Sequence, residues 1–128
     1  MKKINFLRSL LVVVLAFVAN LTVFAGIPEN NLIYNSEEVD GVKMSETVYK
    51  MNGNILTNYM KYNYKYDDNQ QVIENLSQKW NNDSQTWENN LCIKYIYDKK
   101  SVTTEYYKWN KKKQEFVLVH DMTVTMDK

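Results

Sequence analysis

Gln78-Lys79-Trp80-Asn81-Asn82-Asp83-Ser84-Gln85-Thr86-Trp87 sets two tryptophans on either side of a run of turn-forming residues. Asn, Asp and Ser side chains bond their own backbone in turns, whereas aromatic residues favour strands, so the stretch reads as two strands joined by a hairpin loop. If Trp80 pairs with Trp87 and Asn81 with Thr86, four residues are left for the loop.

The signature recurs. Tyr49-Lys50-Met51-Asn52 and Tyr107-Lys108-Trp109-Asn110 stand 29 residues before and after Gln78-Lys79-Trp80-Asn81. Trp109 and Phe116 bracket the third copy as Trp80 and Trp87 bracket the second. In the first copy Met51 and Leu56 leave the two-residue loop Gly53-Asn54, suited to a type I′ or II′ turn. A second motif runs in step: Tyr64-Lys65-Tyr66-Asp67, Tyr95-Ile96-Tyr97-Asp98 and Val124-Thr125-Met126-Asp127, spaced by 31 and 29 residues. Each unit is therefore a β-hairpin whose second, longer strand ends at an Asp.

Period-two alternation along these second strands puts one set of residues on one face: Leu56, Met60, Tyr62, Tyr64 and Tyr66; Trp87, Leu91, Ile93, Tyr95 and Tyr97; Phe116, Leu118, His120, Met122, Val124 and Met126. Val72, Leu76, Trp80, Tyr107 and Trp109 of the first strands join that face. The reverse side carries Thr57, Lys61, Asn63, Glu88, Asn90, Cys92 and Lys94, with Tyr59, Ile96, Val117 and Val119 as apolar exceptions. Met44, Val48, Ile73, Val102 and Tyr106 form a weaker second patch there. This is the pattern of an antiparallel sheet wet on one side. The expected fold is all-β, an antiparallel up-and-down meander of about six strands, strongly curled so that its aromatic face is buried. Leu32, Ile33 and Tyr34 add a strand or cover a face. Pairing of two copies through the aromatic face is another way to cover it.

The N-terminus supplies an address. Lys2, Lys3 and Arg8 precede an apolar run from Leu10 through Val18, and Val23 and Ala25 are the small residues before a cut. That is a secretory signal peptide. Asn20 interrupts a run already shorter than the roughly 20 residues of a bilayer span. The organisation is a signal peptide over 1–25, an N-terminal segment over 26–40 and the β-meander repeat over 41–128. Cleavage after Ala25 removes three of the 16 basic residues, including the single arginine, and none of the 15 acidic ones, leaving a net charge near −2. A chain without arginine and close to neutral carries no nucleic-acid footprint, and no stable membrane span remains after cleavage.

A signal peptide followed by Tyr-x-Tyr-Asp and Lys-Trp-Asn hairpins resembles the small secreted proteins of unknown function found in Bacteroides, domain of unknown function 3836, over roughly residues 40–128. The step Tyr66-Asp67-Asp68-Asn69 is also similar to the YD repeats of larger surface and toxin-shell proteins, although Gln70 follows where those repeats have Gly. The first resemblance implies a Gram-negative, exported β-meander located in the periplasm, on the cell surface or in the medium. It implies no activity.

The residues with chemical potential read mostly as structure. His120 takes the place of Met60 and Leu91, a semi-buried sheet position, and Cys92 falls on the opposite face, which separates the pair. Asp67, Asp68 and Asn69 resemble the opening of a calcium loop, but Val72 and Gln78 stand where its Gly and Glu belong, so they read as turn formers. Glu74, Glu88, Glu105 and Glu115 read as solvated strand residues rather than a glycosidase pair. No catalytic constellation, metal site or cofactor is implied. The chain reads as a non-enzymatic exported module that binds a glycan, peptide or protein, or serves a structural role. A small secreted hydrolase or hydrolase inhibitor is the alternative. Tyr59 and Tyr106, exposed aromatics outside the main apolar face, and the basic run Lys111, Lys112 and Lys113 are the candidate binding surface.

Overall fold

The computed structural model describes Thr22–Val23 and residues 31–128. The rest of the expected leader, with its cut after Ala25, lies outside the described residues. The elements are β1 (Thr22–Val23), β2 (Leu32–Val39), β3 (Val42–Asn52), β4 (Ile55–Tyr66), β5 (Val72–Asn81), β6 (Thr86–Tyr97), β7 (Ser101–Asn110), β8 (Glu115–Leu118) and β9 (Val124–Asp127), with one 3-10 turn at His120–Met122. The chain is all-β, an open up-and-down sheet in the order β1 to β8, with β9 pairing on β7.

The expected class stands, and the described residues form nine strands where about six were expected. Two local causes account for most of the difference. Asp40 and Gly41 take φ of 51° and 77°, the double positive φ of a type I′ turn, and fold Leu32–Val39 back onto Val42–Asn52 as a full hairpin. The boundary expected between residues 40 and 41 thus falls inside a hairpin turn. At the other end, one long strand is expected and two are found. The Val119 N–H donates to Tyr106 O at 2.8 Å, Met122 N–H donates back to Val119 O at 3.0 Å, and pairing resumes at Thr104 opposite Val124. Glu105 alone therefore spans the ladder gap that His120 to Thr123 fill with a turn. His120 is exposed there, not half-buried in a strand.

The chain divides into two compact units at Lys61 and Tyr62. In the first, Ile33 and Val48 are buried on opposite faces of the β2–β3 ladder, Ile33 opposite Tyr49 and Val48 opposite Tyr34. The ladder shifts register between Glu37 and Glu38, leaving Met44 as an extra residue of β3 that is 39% exposed. Beside that bulge the buried Ser45 donates its hydroxyl to Glu37 Oε2 at 2.9 Å. The β3–β4 hairpin turns on Gly53-Asn54 as expected. Gly53 has φ 61° and Asn54 does not share the positive φ, the type II′ pattern that calls for glycine first.

The second unit holds the two longer-looped hairpins. Trp80 pairs with Trp87 and Asn81 with Thr86; Trp109 pairs with Phe116 and Asn110 with Glu115. Both expected four-residue loops are present, and both are built alike. Asn81 Oδ1 accepts from the N–H groups of Asp83 and Ser84, and Asn110 Oδ1 from those of Lys112 and Lys113. Gln85 and Gln114 close the loops with φ of 55° each, and their amides donate to Asn82 O and Lys111 O, both at 2.7 Å. Asp67 Oδ1 likewise caps the N–H groups of Asn69 and Gln71 at 2.9 Å, the work of a turn former.

Candidate functional site

The geometry of the second unit turns on one residue. Gln78 pairs with Asn89 and Ser77 with Leu91, so Asn90 is an extra residue in β6. Such a bulge shifts the alternation of side chains by one. It is pinned by the buried Ser77, whose hydroxyl donates to Leu91 O at 3.3 Å and accepts from Asn90 Nδ2 at 3.2 Å.

Two faces result, and they differ from the period-two reading. One face carries Leu76, Gln78 and Trp80 of β5, Trp87, Asn89, Cys92 and Lys94 of β6, and Glu105, Tyr107 and Trp109 of β7. The other carries Leu91, Ile93, Tyr95 and Tyr97 with Ile73, Val102 and Tyr106, and with Val124 and Met126 of β9. Trp80, Trp87, Trp109, Leu76 and Val72 therefore do not share a face with Leu91 and Tyr95. Tyr106, Val102 and Ile73 do, and Cys92 lies on the tryptophan side. Apolar residues recur at the odd-numbered positions Trp87, Leu91 and Ile93 on either side of the polar Asn89, and that parity conceals the bulge. The adjacent Asn89-Asn90, two poor strand formers in mid-strand, is the one signal that marks it.

The tryptophan face bears a cleft. Trp87 lies edge to face with Trp80, centroids 5.1 Å apart at 67°, and Trp109 does the same with Phe116 at 4.9 Å and 63°. Each pair is worth about 0.5–1.5 kcal/mol beyond its burial and fixes the ring orientation. Between them a cleft of about 340 Å³ is lined by Gln78, Trp87, Glu88, Asn89, Trp109, Lys111 and Gln114. Its polar groups are chained. Asn63 Nδ2 donates to Gln78 Oε1 at 3.3 Å, and Gln78 Nε2 donates to Asn89 Oδ1 at 3.1 Å. Among the described residues Asn89 Nδ2 and Gln114 Oε1 keep no such partner, one donor and one acceptor at the same cleft.

Glu88 is the sole carboxylate of the lining. Asn81 Nδ2 donates to its Oε1 at 2.8 Å and Lys111 Nζ at 3.1 Å, and these bonds, Asn81 first, hold its pKa below the ordinary 4.5. The carboxylate and the ammonium are thus matched within the rim. Farther along this face Lys65 pairs with Glu74 at 3.0 Å, and the Tyr107 hydroxyl donates to Glu105 at 2.6 Å, a bond that raises the tyrosine pKa.

Of the expected surface, Lys111 alone lines the cleft. Lys112 is exposed in the loop and Lys113 lies 3.9 Å from Glu115. Tyr106 sits on the opposite face, half-buried across from Ile93. Tyr59 is 46% exposed on β4 in the first unit. Gln78, Trp87, Asn89, Trp109 and Gln114 lie outside the binding surface expected from the sequence, because period-two alternation puts the tryptophans on the face to be buried. His120 and Cys92 do not meet in a site, since Cys92 is buried in β6 and His120 is exposed in the 3-10 turn. Among the described residues no three His, Cys, Asp or Glu side chains cluster as metal ligands.

The sequence profile of a family of unknown function, DUF3836, matches residues 1–127. A crystal structure of a DUF3836 family protein from Bacteroides vulgatus ATCC 8482 is 65% identical, covers 77% of this chain and 100% of its own, and superposes with a TM-score of 0.74. A DUF3836 family protein from Parabacteroides distasonis ATCC 8503 is 26% identical over 77% of this chain and 89% of its own, TM-score 0.64. A protein with unknown function from Bacteroides fragilis NCTC 9343 is 29% identical over 70% of this chain and 66% of its own, TM-score 0.63. No curated protein matches. The chain belongs to the DUF3836 family.

Proposed function

We propose that this DUF3836 chain is an exported, non-enzymatic binding module of a Gram-negative cell envelope, which holds its ligand in the cleft between Trp87 and Trp109. The observation that carries the reading is that cleft: two oriented indoles on one sheet face, with a free amide donor on the strand and a free amide acceptor on the adjoining loop. Aromatic anchors with a few convergent polar groups are the usual make-up of a binding site. The non-enzymatic part rests on Glu88, which has no second carboxylate beside it in the lining and is already committed to Asn81 and Lys111. Acid–base hydrolysis of a glycoside needs two carboxyl groups about 5–9.5 Å apart. Export rests on the basic and apolar leader that ends at Ala25.

The test has two parts. The full-length chain expressed in a Bacteroides host and fractionated should be found in the periplasm, the outer membrane fraction or the medium, shortened at its N-terminus. The exported form should then co-sediment with insoluble envelope or medium material. Trp109→Ala should weaken that retention roughly tenfold while Tyr59→Ala leaves it unchanged. Cytoplasmic retention would overturn the export reading. Equal retention of the Trp109→Ala and native chains, both folded by circular dichroism, would overturn the site.

A further inference from the structure

We infer that the Trp87–Trp109 cleft is built for an uncharged saccharide chain, lying across β6 and β7 on the face of the sheet; this rests on the binding reading above and names its ligand class. The first ground is location. The lining residues come from β5, β6 and β7 and one loop, and each of those strands has a neighbour on both sides. There is no free strand edge in the cleft for a peptide to extend, so the main-chain hydrogen bonds by which extended peptides are usually held have no counterpart.

The second ground is charge. Lys111 and Glu88 are the charged groups of the lining, and they satisfy each other at 3.1 Å. A polyanion would have to compete with Glu88 for Lys111, and a cationic peptide with Lys111 for Glu88. Neither finds a net charge to bind.

What remains is a set of flat apolar rings and planar amides. Pyranose rings present axial C–H groups to an indole face and pairs of vicinal hydroxyls, each donor and acceptor, at their rims. Asn89 Nδ2 donates and Gln114 Oε1 accepts, the complement such a rim needs, while Gln78 is held in place by Asn63 and orients Asn89. The edge-to-face contacts with Trp80 and Phe116 keep the two indoles from collapsing onto each other, so little ordering remains to oppose binding.

The molecule carries its own reporter. It has three tryptophans, of which Trp87 and Trp109 line the cleft and Trp80 does not. The exported chain, labelled with nitrogen-15, is titrated in parallel with soluble neutral polysaccharides (glucomannan, xyloglucan, laminarin and dextran), with the polyanions heparin and polygalacturonate, and with a tryptic digest of casein. The expected result is that at least one neutral polysaccharide moves the indole N–H signals of Trp87 and Trp109 well beyond that of Trp80. Asn89→Ala, whose amide supports no backbone, should weaken the response roughly tenfold with the spectrum otherwise intact. If the polyanions or the peptides move those two signals and the neutral polysaccharides do not, the saccharide inference falls while the binding site stands. If no arm moves them, both fall.

Discussion

Trp87 and Cys92 stand on the same face of β6, although an odd separation of five residues would put them on opposite faces of a regular strand. Asn90 is the cause, since it adds a residue to β6 with no partner in β5. Every side chain after it is displaced to the face opposite the one expected from the residues before it. The cleft exists because the tryptophans before the bulge are thereby kept off the face that Leu91, Ile93 and Tyr95 occupy.

The pin of that bulge is open to direct measurement. Ser77→Ala removes both the hydroxyl bond to Leu91 O and the acceptor of Asn90 Nδ2 in a buried position. The loss should be about 1–3 kcal/mol in urea denaturation, above that of a surface substitution such as Lys112→Ala. A change within experimental error would show that the bulge does not depend on Ser77.

Gly53 offers a test of turn chemistry without packing. A Cβ there would meet nothing within 4 Å, so Gly53→Ala acts through φ 61° alone. A left-handed conformation costs an L-residue about 1–2 kcal/mol, and the thermal midpoint should fall accordingly. Gly53→Asn, which tolerates positive φ better, should recover part of the loss.

The Glu88 carboxyl should impose a pH dependence with a definite sign. Its folded pKa lies below the ordinary 4.5 because Asn81, and after it Lys111, donate to the ionised form. A depressed pKa contributes stability above the unfolded value, lost as pH falls through the folded one. Urea midpoints of the native chain should therefore drop more steeply below pH 4.5 than those of Glu88→Gln. Coincident curves would show that neither bond persists in solution.

Cys92 should be an inert thiol. It is 4% exposed, and burial first, then the charge of Glu74, raises its pKa above the ordinary 9.0. An aromatic disulfide reagent at about pH 8 should label it only in the unfolding range of urea, because the thiolate is the reacting form. A raised pKa favours the folded state below the unfolded value and loses that effect as pH rises through the folded one. The native chain should accordingly lose more stability than Cys92→Ala above pH 9.0.

Local sequence determined a good deal: the all-β class, the Gly53-Asn54 turn, the two four-residue loops and the pairings of Trp80 with Trp87 and Trp109 with Phe116. Each follows from contacts within about a dozen residues, where turn propensity and alternation act directly. The Asp40-Gly41 hairpin was equally local, and the double positive φ that Asp-Gly favours was the available sign of it. What only the tertiary structure decided is which face each strand presents. That depends on the parity of the ladder, and one unpaired residue, Asn90 in β6 or Met44 in β3, reverses it for everything beyond. Two bonds to Ser77, thirteen residues away along the chain from Asn90, hold the reversal at Asn90, and no periodicity within β6 records a partner on β5.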